Sequence, residues 1–167
     1  MSYTHGEDEA GRYTAEIEFI KPEEWEKELT VLFDETLDSS GTGFARNIAD
    51  EDSDAAIAYA KIRGVYNRMT KEDLINSSIE DFMREPQVRN LLGSTKILKH
   101  PDPVSFYKRL QFFVDSKEKP MSKDGTTVNP FAAREFEYWP LIKVVRIYTK
   151  ADALSTGAVL VDLPGRN

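Results

Sequence analysis

The sequence predicts a mixed fold, α/β or α+β, in which a large helical insertion separates the strands of one sheet. Three observations predict it. Apolar residues alternate near the start of the chain, recur every three or four residues through the middle, and alternate again near the end. The chain has 167 residues, of which 40% are hydrophobic, and this suits one domain with a substantial core.

The first strand is predicted over residues 13–20, YTAEIEFI, after a flexible acidic N-terminus over residues 1–12. Its apolar side chains occupy alternate positions and its threonine and glutamates the positions between them, which is typical of a half-buried strand. Pro22 suits the first turn of a helix, where its missing N–H costs nothing. The helical insertion is therefore predicted to begin at Pro22.

The helical insertion is predicted over residues 22–115 and contains four or five helices with apolar stripes at helical spacing. Residues 38–53, rich in Ser, Gly and Asp, interrupt it as a loop. Thr70 and Ser78 each stand three residues before an Asp, which is the pattern of a helix N-terminal cap. Gly93 follows an apolar set and is suited to ending a helix.

The C-terminal part is predicted to return to β-structure. Residues 116–137 are expected to form a long exposed loop, and residues 138–165 a β-hairpin that ends in the sequence DLPG. The first strand of this hairpin, KVVRIYTK (143–150), alternates and is half-exposed. The second, AVLVD (158–162), is apolar on both faces, as expected for a strand inside a covered sheet. Residues 13–167 are thus predicted to form a single domain.

Composition excludes several classes of protein. The chain has no Cys, which excludes disulfides, thiolate metal sites and cysteine catalysis. It has no apolar run long enough to span a membrane, and its polar, acidic start differs from a secretory signal. We therefore expect an intracellular protein, cytoplasmic or nuclear.

Charge is unevenly distributed along the chain. The net charge is −7, but residues 16–54 contain thirteen acidic and three basic residues, a local charge of −10, so the remainder sums to +3. We do not expect a nucleic-acid partner, because the sequence shows no basic stripe that would neutralise phosphates. A solvated helix face and loop are the simplest interpretation of the acidic stretch.

The segment TGAVLVDLPG (156–165) has the form of the DxxG motif of a GTPase. Mg²⁺ prefers oxygen ligands and keeps several waters, and a carboxylate at the end of a rigid strand, here Asp162, can hold one of those waters. Gly165 would allow a backbone N–H to approach a terminal phosphate. The alternative is an ordinary turn after a buried strand, since Asp, Pro and Gly all favour turns.

Other GTPase motifs are missing from the sequence. GEDEAGRY (6–13) has the glycine spacing of a P-loop but lacks its Lys and hydroxyl, and three acids would repel phosphate. SSGTGF (39–44) is an isolated GxG in a loop. TKAD (149–152) has the form of a guanine-specificity motif. In GTPases, however, that motif follows DxxG after a whole β-α unit, whereas here it comes shortly before Asp162, and a hairpin turn explains it better.

Two long stretches of the chain resemble a known family. YTAEIEFIKPEEWEKEL (13–29) and WPLIKVVRIYTKADALSTGAVLVDLPG (139–165) are similar to fungal relatives of the germinal-centre-associated nuclear GTPase, a large dynamin-type GTPase. The resemblance implies a fragment of a GTPase domain with an incomplete P-loop-type sheet. Asp162 matches the acid that holds Mg²⁺ through water, and Gly165 matches the glycine whose amide meets the γ-phosphate. The family's P-loop, switch I Thr and guanine motif have no counterpart in this chain.

The resemblance implies GTP and Mg²⁺ as cofactors, yet with one Mg²⁺-associated acid and one amide we expect neither to bind tightly to this chain alone. No catalytic residue is assigned, because phosphoryl transfer needs the P-loop, the metal and the switch residues together. The expected partner is a protein, either a second copy or a full-length GTPase. The alternative is an independent protein-interaction module that binds through residues 16–54 or 116–135. An enzyme of another type is supported only by generic carboxylates.

Overall fold

A computed structural model describes residues 12–115 and 136–149 of the chain. Within these residues three strands form one antiparallel sheet, accompanied by six α-helices and a short 3-10 helix. The predicted mixed fold, with about three strands and a large helical part, is confirmed.

The elements follow each other along the chain with short connections, apart from the loop between the first two helices. In order they are β1 (Tyr13–Phe19), α1 (Pro22–Thr36), α2 (Asp54–Val65), α3 (Lys71–Asn76), α4 (Ile79–Met83), α5 (Pro86–Leu91), β2 (Thr95–His100), α6 (Pro103–Val114), the 3-10 helix (Trp139–Leu141) and β3 (Ile142–Thr149).

The sheet has the strand order β2-β1-β3, so that β1 pairs with both other strands. The register places Tyr13 of β1 opposite His100 of β2 and opposite Thr149 of β3. The alternation in the sequence places Ala15, Ile17 and Phe19 on one face of β1. This face is buried, since all three residues are at most 1% exposed. The other face, with its threonine and glutamates, remains partly exposed.

The helices cover the apolar face of the sheet and build one core with it. α1 and α2 pack against each other, and α6 lies along β2 and β1. Aromatic rings join distant helices: Phe82 of α4 lies 4.9 Å from Phe33 of α1 and 4.8 Å from Tyr66 at the end of α2, measured between ring centroids. Such pairs add to the stability that burial alone provides.

The predicted helix boundaries agree with the structure. The hydroxyls of Thr70 and Ser78 accept hydrogen bonds from the backbone N–H groups of Asp73 and Asp81 at 3.1 and 3.3 Å, which begins α3 and α4. Gly93, just after α5, has a φ of +71°, a conformation that glycine adopts without strain.

One strand was not predicted. β2 lies inside residues 22–115, where the sequence predicts only helices and the loop over residues 38–53. Its sequence, TKILKH, contains only two apolar residues, and Ile97 is 63% exposed on the outer face. Among the described residues β2 lies at an edge of the sheet. Charged residues on such a strand discourage pairing with other chains, and they also make its alternation hard to recognise in the sequence. The prediction of a helical insertion without a strand was therefore wrong at this point.

The strand predicted at 143–150 is present as β3, Ile142–Thr149. Its pairing with β1 is irregular at Glu18 and Phe19, where Lys143 is an extra residue in β3. The second strand of the predicted hairpin, residues 158–162, lies outside the described residues. So do the N-terminus up to residue 11 and residues 116–135 of the predicted loop.

Candidate functional site

The two site residues predicted from the sequence, Asp162 and Gly165, lie outside the described residues. The structure therefore describes the strand that leads to them and the contacts that hold this strand. β3 ends at Thr149, directly before the segment that carries both residues. Its position on the sheet is set by polar contacts on the outer face, by a buried carboxylate beneath its start, and by the bulge at Lys143.

The outer face of the sheet carries two diagonal hydrogen bonds between β1 and β3. Arg146 donates from Nη1 to Glu18 Oε2 at 2.7 Å, and the Tyr148 hydroxyl donates to Glu16 Oε2 at 3.0 Å. These bonds raise the pKa of the Arg146 guanidinium and of the Tyr148 hydroxyl, since each favours the protonated form. Both carboxylates are thus occupied in holding β3 and are unsuited to act as a free base or nucleophile.

The bulge in β3 directs Lys143 towards helix α1. Its Nζ donates to both carboxylate oxygens of Glu24, at 2.8 and 3.0 Å. The hydrogen bond raises the pKa of Lys143 and lowers that of Glu24. Both side chains are substantially exposed, so this pair orients β3 relative to α1 more than it stabilises the fold.

A buried carboxylate anchors the start of β3, and sequence reasoning missed it. Glu137 is only 4% exposed, and its Oε2 accepts a hydrogen bond from Trp139 Nε1 at 2.6 Å. Its backbone N–H donates to the carbonyl of Gly64 in α2 at 2.9 Å. A larger residue would be crowded here, because a Cβ at Gly64 would lie 2.9 Å from Glu137 Oε2. A Glu near a Trp carries no periodic signal, and the glycine lies in a regular helix, so no local pattern in the sequence predicts this contact.

A second buried hydrogen bond holds the helices that support the sheet. Trp25 Nε1 of α1 donates to the hydroxyl of Tyr66 at 3.1 Å, and both side chains are almost completely buried. Burial raises the pKa of the Tyr66 hydroxyl. A phenol that stays protonated and binds an indole fits a structural role.

In the loop with the isolated GxG sequence, hydrogen-bond donors of the loop bind the carboxylate of Asp38. Ser40 donates to Asp38 Oδ1 from its backbone N–H at 3.0 Å and from its hydroxyl at 2.6 Å. The hydroxyl hydrogen bond lowers the pKa of Asp38. A shallow groove beside this loop is lined by Asp34 and Asp38. These donors are therefore used within the loop, and the two acids disfavour a phosphate there.

No cluster of three or more His, Cys, Asp or Glu side chains suited to a metal ion is present in the described part of the chain. None of the helices described has the length and apolarity needed to cross a membrane. Comparisons of this chain with protein-family models, with curated proteins and with solved structures give no match. Its function must therefore be argued from its own residues.

Proposed function

We propose that this chain is part of a dynamin-type GTPase domain that does not hydrolyse GTP alone and acts by associating with a complete GTPase. The observation that carries the proposal is the sequence TGAVLVDLPG (156–165), which follows β3 after only a few residues. An apolar run that ends in Asp and a Pro-Gly turn has the chemistry of a Mg²⁺- and phosphate-binding strand end.

The isolated chain is expected to be inactive because it supplies only two of the contacts that GTP hydrolysis needs. Asp162 would hold Mg²⁺ through a water, and the Gly165 amide would meet the γ-phosphate. Catalysis of phosphoryl transfer also needs a P-loop Lys, a hydroxyl ligand to Mg²⁺ and an ordered switch residue. With two of these contacts alone, the chain is expected to bind neither GTP nor Mg²⁺ tightly.

Association is supported by the edge of the sheet. β3 pairs with β1 on one side, and on its other side it has no strand partner among residues 12–115 and 136–149. The apolar run AVLVD (158–162) comes soon afterwards in sequence and has the composition of a strand with neighbours on both sides. If residues 158–162 pair with this edge as the predicted hairpin requires, their own outer edge would still need a neighbour, and this favours pairing with a second polypeptide.

The nucleotide part of the proposal is tested by titrating the full chain with fluorescent GTP and GDP, with and without Mg²⁺. We expect no saturable binding and no difference between the wild type and Asp162→Ala. Mg²⁺-dependent binding that Asp162→Ala abolishes would contradict the expected inactivity and would indicate a complete pocket in this chain.

The association is tested by sedimentation of the chain alone and mixed with a full-length GTPase of the same family, together with phosphate release by that GTPase. We expect a complex and an altered rate of GTP hydrolysis. Leu160→Lys should abolish both, since it places a charge within the apolar run, whereas Asp162→Ala should leave the complex intact. A monodisperse monomer without affinity for the GTPase would refute the proposal.

A second candidate function is an independent protein-interaction module without a nucleotide role. The observation that favours it is the exposed acidic side of α1, where Glu23, Glu26, Asp34 and Glu35 all face solvent. A basic partner would be attracted to this surface. Loss of partner binding in Glu26→Lys combined with Asp34→Lys, with Asp162→Ala unaffected, would support this function over the first.

A further inference from the structure

Four aromatic rings form a cluster on the surface beside β2. Phe112 and Phe113 come from the end of α6, and Phe136 and Tyr138 precede the 3-10 helix. Tyr138 is at the centre, with ring centroids 5.5 Å from Phe112, 5.0 Å from Phe113 and 4.9 Å from Phe136. The rings are tilted or edge-on to one another, so that their faces point in different directions.

The cluster opens towards solvent. Its base is Phe19 of β1, which is 1% exposed and lies 6.3 Å from Tyr138 between ring centroids. Phe113, Phe136 and Tyr138 are only partly buried, and Phe112 is 48% exposed. Rings that a rigid core holds while their outer faces remain accessible are suited to binding a ligand.

A cation already lies against two of these rings. The ammonium of Lys96 in β2 is 5.6 Å from the centroid of Phe113 and 5.4 Å from that of Tyr138. Lys96 pairs with the fully buried Ile17, so it occupies a position on the apolar face of the sheet where a hydrophobic residue is expected. No carboxylate forms an ion pair with Lys96 among the residues that the structure describes. The rings therefore hold this ammonium by cation–π attraction.

We propose that the face formed by Phe113 and Tyr138 is a binding site for a methylated ammonium group, and that Lys96 is its internal occupant. A ligand must displace Lys96 to bind. An unmodified lysine carries the same strongly hydrated ammonium and has no advantage over a tethered competitor. A quaternary ammonium loses less hydration and contacts the rings with its methyl groups, so it is the cation that displaces Lys96.

This inference goes beyond the proposed GTPase association, because no residue of the aromatic cluster belongs to the segment with Asp162. The site distinguishes methylated from unmodified ammonium groups because every ligand must compete with Lys96 for the rings. Its ligand is either a trimethyl-lysine side chain of a protein or a small choline-like molecule, and the chemistry of recognition is the same for both.

The test is a titration of the full chain followed by NMR of the aromatic ring protons. The probes are the capped peptide Gly-Gly-trimethyllysine-Gly-Gly, the same peptide with unmodified lysine, and choline. We expect the methylated peptide to shift the Phe113 and Tyr138 signals and the unmodified peptide to leave them unchanged. Tighter binding of the methylated peptide than of choline would assign the site to a protein partner, and the reverse order would assign it to a small molecule.

Two variants of the same strand decide the role of Lys96. Lys96→Ala removes the occupant and should tighten binding of the methylated peptide by about three- to sixfold, as expected for loss of an exposed cation–π competitor. Lys99→Ala removes the same charge from the other face of β2, opposite Thr14, and should leave the affinity unchanged. Equal affinities of Lys96→Ala and wild type would overturn the proposal.

A third variant tests the rings. Phe113→Leu should abolish binding while thermal melting confirms that the chain still folds. Retained binding in a folded Phe113→Leu protein, or equal binding of the methylated and unmodified peptides to the wild type, would refute the site. If Phe113→Leu does not fold, the comparison of Lys96→Ala with Lys99→Ala decides the matter.

Discussion

The contact between Gly64 and Glu137 can be tested with Gly64→Ala, because helix propensity and packing predict opposite changes in the free energy of unfolding. In an ordinary helix, Gly→Ala stabilises by about 1 kcal/mol because alanine has the higher helix propensity. Gly64 is the last residue but one of α2, so a gain of up to this size is expected for Gly64→Ala. The new Cβ, however, would lie 2.9 Å from Glu137 Oε2 and 3.3 Å from its Cβ and Cδ.

The clash should outweigh the gain. Glu137 is 4% exposed and its Oε2 is held by Trp139 at 2.6 Å, so the carboxylate cannot move without breaking that hydrogen bond. Overpacking a buried site costs about 1–3 kcal/mol, which leaves a net loss of about 1 kcal/mol after the gain in propensity. We therefore expect Gly64→Ala to destabilise the protein, against the helix-propensity rule.

Urea unfolding followed by fluorescence measures this effect, since Trp25 and Trp139 are the two tryptophans of the chain. The control is Glu137→Ala, which removes the carboxylate and leaves a single close contact, between the two Cβ atoms. In that background Gly64→Ala should be neutral or stabilising. If Gly64→Ala changes the free energy of unfolding equally in both backgrounds, the two residues are not coupled and the reasoning is wrong.

Three further predictions concern the helices. Ser78→Ala should lower the free energy of unfolding by about 1 kcal/mol in a urea titration, because it removes the N-terminal cap of α4. Hydrogen bonds from Ser78 lower the pKa of Asp81 below its ordinary 3.8, so the stability that this carboxylate contributes is present above pH 3.8 and lost below it. Asp81→Asn should therefore flatten the fall in stability at acid pH. Tyr66→Phe should cost about 1–3 kcal/mol by leaving Trp25 Nε1 buried without an acceptor, whereas the exposed Tyr107→Phe should have no effect.

Local signals were sufficient to predict much of this fold. β1 is recognisable because its alternation is complete and its buried face is wholly apolar. The starts of α3 and α4 are recognisable because Thr70 and Ser78 stand at a fixed distance from the acids that complete each cap. These features depend on residues close together in sequence, which is why the sequence alone reveals them.

Features that depend on distant residues could not be predicted. The backbone of β2 forms hydrogen bonds with β1, which is distant in sequence, and the sequence of β2 itself shows little alternation. The space that requires Gly64 is defined by Glu137, more than seventy positions along the chain. The aromatic cluster likewise joins the end of α6 to residues 136–138, and Lys96 contacts it from β2. Such contacts exist only once the chain has folded, and no local pattern encodes them.

The central place of β1 has a consequence for the order of folding. β1 is synthesised before both of its partners, β2 and β3, and β3 comes near the end of the described chain. Helices α1 to α5 lie close together in sequence and can pack against one another early, whereas the sheet must close two long loops. During synthesis the apolar face of β1 therefore has helices to pack against long before it has strands to pair with. We expect closure of the sheet to limit the folding rate, and the unpaired edges of β1 to be the region most exposed to chaperones.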